Sequence, residues 1–238
     1  MNGLRSICGV TLASFVALGL LPACSDDGDG GPAEGVAGNA GGGFGGIVGV
    51  PWQLLARDPK DPSQGYKPDF ELAWDQIAGD TDTYVDPADP FMVQSVDPRS
   101  GTSTTAGEST APPESASGAS AINGHERKIA ERNDLQYSCT FSLPKPRDCE
   151  DFEGHCDCSY QAEGANNPLC QAPDGSYGKV QYRAKAYPAP RILNVFKKMQ
   201  SQSVVGSICA PQLTDSTRAD YGYRPMIDAL VERVRLSL

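Results

Sequence analysis

Histidine and the sequence motifs of hydrolytic enzymes are nearly absent from this chain of 238 residues. It has two histidines, His125 and His155, and the zincin-type pattern that begins at His125 is incomplete, since Ile129 stands where a second histidine would be needed. There is no Gly-x-Ser-x-Gly nucleophile elbow and no Gly-Lys-Ser phosphate loop. The sequence therefore assigns no catalytic residue, and we expect a protein without enzymatic activity.

Basic residues are also few. The chain has 20 Lys and Arg against 30 Asp and Glu, which gives a net charge of −10. Because a strongly acidic protein is repelled by phosphate backbones and by anionic lipid, we expect no nucleic-acid partner. Contact with a membrane then has to come from an attached lipid.

A hydrophobic run long enough to cross a bilayer is missing as well. The apolar run at residues 7–20 follows Arg5 and precedes Leu21-Pro22-Ala23-Cys24, which predicts a cleavable secretory signal over residues 1–23. These last four residues resemble the lipobox of bacterial lipoproteins, although Pro22 departs from the usual small or β-branched residue. The resemblance implies that Cys24 is lipidated, with palmitate among its acyl chains. Ordinary secretion with cleavage after Ala23 is the alternative.

Cysteine, by contrast, is well represented, with eight residues. Cys8 leaves with the signal, and Cys24 is the lipid site. An even number in an exported protein predicts disulfides, here three. The connectivity is open, except that Cys156 and Cys158 are too close in sequence to pair easily. Zinc is a poorer match, because the Cys-x-Cys spacing has no second short pair. The predicted disulfide cysteines are Cys139, Cys149, Cys156, Cys158, Cys170 and Cys209.

Composition divides the mature chain into a tether and a body. Residues 24–46 are rich in glycine and acidic residues, which predicts a flexible tether. Residues 47–238 form the body. Within it, residues 100–121 have no apolar side chain larger than alanine and are predicted to be a disordered insertion. Residues 147–178 hold four cysteines and few aliphatic residues, which predicts an irregular knob held by disulfides.

The first half of the body shows short and broken patterns. A buried strand is predicted at residues 46–50, a helix at 69–79 and a short strand at 91–96. The helix would bury Phe70, Ala73, Trp74 and Ile77. Alternating apolar residues at 135–141 predict a half-buried strand that ends at Pro144 and Pro146.

The second half is patterned more regularly. Strands are predicted at residues 180–186 and 203–209, and helices begin near Pro190 and Pro225. This order of strand, helix, strand and helix favours a parallel pair joined by a right-handed crossover. The fold class is therefore α/β, with a three-layer sandwich. The apolar stripes of the two helices are Ile192, Val195, Phe196 and Met199 in the first and Ile227, Leu230, Val231 and Val234 in the second.

Four short motifs resemble parts of large bacterial envelope lipoproteins whose bodies are similar to von Willebrand factor A domains. They are Gly49-Val50-Pro51-Trp52, Asp89-Pro90-Phe91-Met92, Leu135-Gln136-Tyr137-Ser138-Cys139 and Tyr221-Gly222-Tyr223-Arg224-Pro225. The resemblance implies a Rossmann-like α/β body and a role in adhesion or binding. The metal-binding Asp-x-Ser-x-Ser pattern of such domains does not occur in this chain, so their metal-dependent adhesion site is not carried over.

Two groups of residues are candidate sites. Several aspartates crowd residues 75–97, and Asp80, Asp82 and Asp86 would be calcium ligands if they converged. The same segment could supply an acid and a base for hydrolysis, or be ordinary turn chemistry. Tyr221, Tyr223 and Arg224 are residue types enriched at interfaces and form a candidate recognition patch, or else pack the entry to the last helix.

These observations predict a lipid-anchored protein of the Gram-negative envelope. Ser25 after the lipidated cysteine favours the outer membrane, since an Asp there would favour the inner one. The expected role is a non-enzymatic binding or adhesion scaffold for a protein or glycan partner. The alternatives are a metal-assisted hydrolase that uses residues 75–97, and a shortened remnant of a larger surface protein.

Overall fold

The computed structural model describes residues 44–110, 119–150, 156–159 and 166–235. The predicted signal, Cys24 and almost all of the tether lie outside these ranges, as does His155. Six strands form three separate two-stranded sheets. They are β1 (Phe44–Val48), β2 (Ala56–Asp58), β3 (Asp61–Tyr66), β4 (Cys139–Asp148), β5 (Val180–Ala186) and β6 (Ser203–Ser207).

The helices are short. Four α-helices occur in the described ranges: α1 (Trp52–Leu55), α2 (Trp74–Ile77), α3 (Pro190–Met199) and α4 (Arg224–Arg235). Short 3-10 helices cover Asp69–Glu71, Pro90–Met92, Pro168–Cys170 and Gln200–Gln202. None of the helices in this part of the chain is long and apolar enough to cross a bilayer.

The centre of the body is the parallel pair of β1 and β6, with a helix on each face. Met226 of α4 lies against Gly45, and Phe196 of α3 lies against Gly46 on the opposite face. A Cβ atom at either glycine would stand within 2.5 Å of these side chains, so the close approach of both helices requires glycine. The two-stranded sheet is thereby covered by a helix on each face. Its core includes Val50, Leu54, Leu55, Ile77, Met92 and Leu193.

The predicted crossover between β5 and β6 is wrong. β5 pairs antiparallel with β4, whereas β6 pairs parallel with β1 from the other end of the body. A strand pattern shows that a segment is extended and half-buried, but the choice of partner depends on distant side chains. The mixed α/β class is confirmed, in the form of small separate sheets.

Three predicted elements in the first half also differ. Residues 91–96 are not a strand, because the Asp89 carboxylate accepts a hydrogen bond from Phe91 N–H at 3.0 Å and starts the 3-10 turn Pro90–Met92. The helix predicted at 69–79 is broken into a 3-10 turn and α2, and Phe70 is 76% exposed rather than buried. β4 continues past Pro144 and Pro146, with a register shift between Ser142 and Arg147.

The predicted apolar stripes are only partly buried. In α3 the buried residues are Leu193, Asn194 and Phe196, while Val195 is 57% exposed. In α4, Pro225 and Met226 are buried. Three members of its stripe are 43–48% exposed: Ile227, Val231 and Val234. Periodicity therefore identified both helices but overstated how much of each is covered.

Residues 100–121 are in part packed against the body. Ser103 is fully buried, and its hydroxyl donates to the Asp89 carboxylate at 2.5 Å. Residues 111–118 lie outside the described residues.

All six predicted cysteines are paired, which confirms the three disulfides. The bonds are Cys139–Cys209, Cys149–Cys156 and Cys158–Cys170. Cys139–Cys209 joins β4 to the chain that follows β6, so it links two of the sheets. The other two bonds lie within the Cys-rich region, residues 147–178. The four cysteines of that region form a small apolar cluster with Tyr137 and Leu169.

Candidate functional site

The three aspartates predicted to bind calcium do not converge. Asp80 accepts hydrogen bonds from the backbone N–H groups of Asp82 and Thr83, which is the geometry of a turn. Asp82 instead forms an ion pair with Lys198 of α3 at 2.8 Å, and Asp86 is exposed. Across the described ranges, no group of three His, Cys, Asp or Glu side chains is placed to hold a metal ion.

The same segment holds one carboxyl group whose pKa is raised. Burial raises the pKa of Asp89, although hydrogen bonds from Ser103 and from the Phe91 backbone oppose that shift. A raised pKa is a property of many general acids. The Asp89 side chain, however, is completely buried and both of its oxygens accept hydrogen bonds from the protein. It therefore organises the turn and cannot reach a substrate.

Tyr221, Tyr223 and Arg224 bond to their own chain. The Arg224 guanidinium lies 5.5 Å from the centre of the Tyr221 ring and donates to the Arg218 carbonyl at 2.7 Å. The Tyr223 hydroxyl donates to the Ile208 carbonyl at 3.3 Å. These contacts hold the entry to α4 beside the end of β6. They favour the packing role over the recognition patch.

A network of charged and aromatic side chains that sequence reasoning missed lies between the Cys-rich region and β5. We call it the Lys185 network, and it consists of Arg127, Asp134, Tyr137, Asp157, Lys185 and Tyr187. The Lys185 ammonium donates to Asp157 at 2.6 Å and lies 5.3 Å from the centres of both tyrosine rings. Arg127 donates to Asp134 at 2.6 Å and to the Tyr137 hydroxyl at 2.7 Å. The two cations and two carboxylates neutralise one another.

Burial and pairing shift the pKa values of Lys185, Tyr137 and Asp134 within the Lys185 network. Burial alone would lower the pKa of Lys185, but contacts that include the hydrogen bond to Asp157 raise it, so the amine stays an ammonium ion. Burial raises the pKa of Tyr137, which keeps the phenol protonated. Burial would raise the pKa of Asp134, yet hydrogen bonding from Tyr187 and the charge of Lys185 lower it. Lys185 therefore stays charged and Tyr137 stays protonated, which suits a network of structural ion pairs.

A second buried pair joins the loop at Arg99 to Glu126. The side chain of Arg99 is 5% exposed and that of Glu126 is fully buried, with 2.6 Å between the nearest charged atoms. All five guanidinium N–H groups of Arg99 are used. They donate to the Glu126 carboxylate and to the carbonyls of Phe91, Val93 and Tyr137. The pair therefore ties three loops together.

The best candidate for a binding site is a cleft along the outer edge of β6, which we call the β6 cleft. It has a volume of about 200 Å³, and Phe70 stands exposed on its wall. Small-molecule pockets usually hold about 300–1,000 Å³, so this cleft suits a short extended segment or a single side chain. Its walls combine apolar and charged groups, which include Tyr66, Leu72, Val205, Ala229, Arg57 and Arg233.

Sequence reasoning placed Phe70 in the core and thus missed this cleft. The only sequence signal against a buried position for Phe70 was the pair of nearby prolines, Pro62 and Pro68, because prolines limit how far a helix can extend. Comparisons with protein-family models, with curated proteins and with solved structures found no match for this chain. The resemblance to von Willebrand factor A-like lipoproteins therefore stays a prediction.

Proposed function

We propose that this chain is a lipid-anchored protein of the Gram-negative outer membrane that acts as a non-enzymatic binding or adhesion scaffold. The N-terminal signal that ends at Cys24 supports the anchor. Three disulfides support an oxidising compartment outside the cytoplasm. The observation that carries the binding role is Phe70, a large apolar side chain left 76% exposed on the wall of the β6 cleft. Its partner is a protein or a glycan.

The finer fold proposal rests on the central layer. A parallel pair of strands with one helix on each face is the minimal unit of a Rossmann-like three-layer sandwich. We propose that the body is a shortened form of such a sandwich, similar to von Willebrand factor A domains but without their metal site. The small separate sheets around it are additions to that unit.

The anchor is tested by feeding an alkyne-labelled palmitate to cells that express the protein. We expect label on the wild-type chain in the membrane fraction, and loss of both label and membrane association in Cys24→Ser. A wild-type mature chain that begins at Cys24 without an acyl group would contradict the proposal. So would a Cys24→Ser chain that keeps its label.

The binding role is tested by placing a photo-crosslinking amino acid at position 70 in living cells. The matched control is position 84, because Tyr84 is also an exposed aromatic residue but lies outside the β6 cleft. We expect a specific adduct from position 70 and none from position 84. Equal adducts at both positions, or none at position 70, would exclude the cleft as the binding site.

A further inference from the structure

Among the described residues, no strand pairs with one edge of β1, so the central sheet is open there. Ile208 N–H donates to the Val48 carbonyl, and Gly206 stands opposite Ile47. In a parallel ladder the backbone groups of successive residues point alternately toward and away from the partner strand. Gly46 and Val48 therefore face β6, whereas Gly45 and Ile47 face away from it.

The next outward residue supports this alternation. Gly49 continues the outer edge of β1, and its carbonyl accepts a hydrogen bond from Ala189 N–H at 3.1 Å, away from β6. Gly45 and Ile47 have no backbone or side-chain partner for their outward groups anywhere in the described ranges. Within the described part of the chain, these two N–H and two C=O groups therefore form an unpaired edge next to the hydrogen bond between Ala189 and Gly49.

Helix α4 packs over β6 and β1, and one of its flanks is turned toward this edge. Its residues Ala229 and Arg233 line the β6 cleft, which lies at the opposite edge of the sheet. Its residue Met226 points down onto the sheet. Residues in a helix advance by about 100° each. The other flank of α4 therefore lies toward the free edge of β1. It carries three half-exposed residues: Ile227, Val231 and Val234.

Helix α3 repeats this arrangement on the other face of the sheet. Asn194 donates to the Ala78 carbonyl and Lys197 to the Gly79 carbonyl, so one flank of α3 is covered by the chain around α2. The segment around α2 directly follows residues 66–72, which line the β6 cleft. The uncovered flank carries Ile192 and Val195 and lies toward β1. Phe44, half-exposed at the start of β1, completes an apolar margin on both sides of the open edge.

The open edge lacks the features that normally block strand addition. Natural edge strands are protected by charged side chains, prolines or bulges. Residues 44–50 contain no charged residue and no proline, although the chain as a whole has a net charge of −10. A strand added here would be covered on both faces by apolar helix flanks, so it must itself be uncharged.

We propose that β1 pairs with β1 of a second copy of this chain, in antiparallel orientation about a two-fold axis at Gly46. Among the described strands, β1 itself is both uncharged and unpaired along one edge, and pairing it with its own copy brings no like charges together. The symmetry places Gly45 of each copy opposite Ile47 of the other, which pairs all eight outward backbone groups through four hydrogen bonds. Closed two-fold dimers of this kind are the commonest oligomers. The proposal goes beyond the anchored scaffold and does not depend on the β6 cleft.

The test is the mass of the mature chain in solution. We use residues 24–238 with Cys24→Ser, which removes the lipid and leaves the rest of the chain intact. Light scattering is expected to give twice the mass of one chain. Val231→Lys places a charge on the flank of α4 that is turned toward the edge, and it is expected to weaken the dimer by at least about 30-fold. Glu232→Lys is the matched control on the same helix turn, and it is expected to remain dimeric.

Hydrogen exchange of the Ile47 amide gives an independent readout. The amide is expected to be protected in the dimer and to exchange rapidly in Val231→Lys, while the thermal midpoint of unfolding shows that this variant stays folded. A monomer at concentrations up to about 100 µM would overturn the proposal and leave the edge to a strand from another protein. A dimer that Val231→Lys does not weaken would overturn this surface as the interface.

Discussion

Two regions of this molecule are stabilised by different means. The unit of β1, β6, α3 and α4 is held by apolar burial, with Leu193 and Val50 completely buried and no disulfide inside it. The region of β4, β5 and the Cys-rich segment has a small apolar cluster in which four of the six residues are cysteines. Two disulfides and the Lys185 network hold it together instead.

The difference follows from composition. A segment with few aliphatic residues cannot bury enough apolar surface to offset the entropy of ordering its chain. Cross-links reduce that entropy in the unfolded state, and ion pairs with tyrosine rings add local contacts. The Cys139–Cys209 bond connects the two kinds of region, because it joins β4 to the chain that follows β6.

The largest loss is expected from Glu126→Ala, because it leaves the Arg99 guanidinium buried without its counter-ion. Breaking one side of a buried ion pair costs about 3–5 kcal/mol of the free energy of unfolding. The measurement is the midpoint of chemical denaturation. The control is Asp97→Ala, which removes an ion pair with Arg132 that is exposed on both sides and is expected to change the midpoint little. Equal losses in both variants would contradict the role given to burial.

Removing Cys139–Cys209 by a double alanine substitution is expected to cost about 4 kcal/mol, because the bond closes a loop of 70 residues. Removing Cys158–Cys170, which closes 12 residues, should cost about 3 kcal/mol. Hydrogen exchange of the backbone amides distinguishes the effects of the two disulfides. The first change should expose amides in both β4 and β6, and the second only amides around the Cys-rich segment. Matching exchange patterns would show that the two regions are not separable.

Leu193→Ala tests the apolar unit alone. The side chain is fully buried between α3 and the sheet, and such truncations cost about 3 kcal/mol. We expect faster exchange at β1 and β6 with little change at β4 and β5. The control is Arg191→Ala, because Arg191 is exposed and lies nearby on α3. This change should leave the free energy of unfolding unchanged. An equal loss of protection in β4 would argue for one cooperative unit.

The smallest expected effect is a pH dependence from His125, which contacts Asn166 of the Cys-rich segment at 3.0 Å. Burial lowers the pKa of His125 below its usual 6.5, so the folded state prefers the neutral ring. Its contribution to stability is complete above pH 6.5 and is lost as the pH falls below that value. One group gives at most about 1.4 kcal/mol per pH unit. His125→Gln should flatten the change in unfolding free energy between pH 7 and 5.5, whereas an unchanged slope would place its origin elsewhere.

Particular elements show how much of the fold the sequence predicts. Local patterns correctly located β5, α3, β6 and α4, because alternation and helical spacing report which side chains one element can bury. The six paired cysteines also followed from their even number in a chain that is predicted to be exported. The turn at Asp89 was mistaken for a strand, since a single side-chain hydrogen bond outweighed a run of apolar residues.

The candidate sites show the same limit. Aspartate clustering suggested a calcium site, but each carboxylate found its own partner or remained apart. Phe70 lay on a plausible apolar face, yet the chain broke into a 3-10 turn and left it exposed on the β6 cleft. Neither result can be read locally, because both depend on where distant segments come to lie.

The sequence alone determined that the body is mixed α/β, that its cysteines pair, and that the chain has a net charge of −10. Only the tertiary structure decided that β6 joins β1 rather than β5, which cysteines bond, and that α3 and α4 leave one flank uncovered. The physical reason is the distance along the chain over which each effect acts. Propensity, periodicity and charge act within a few residues, whereas strand pairing and burial are set by contacts between residues such as Gly46 and Phe196, far apart along the chain.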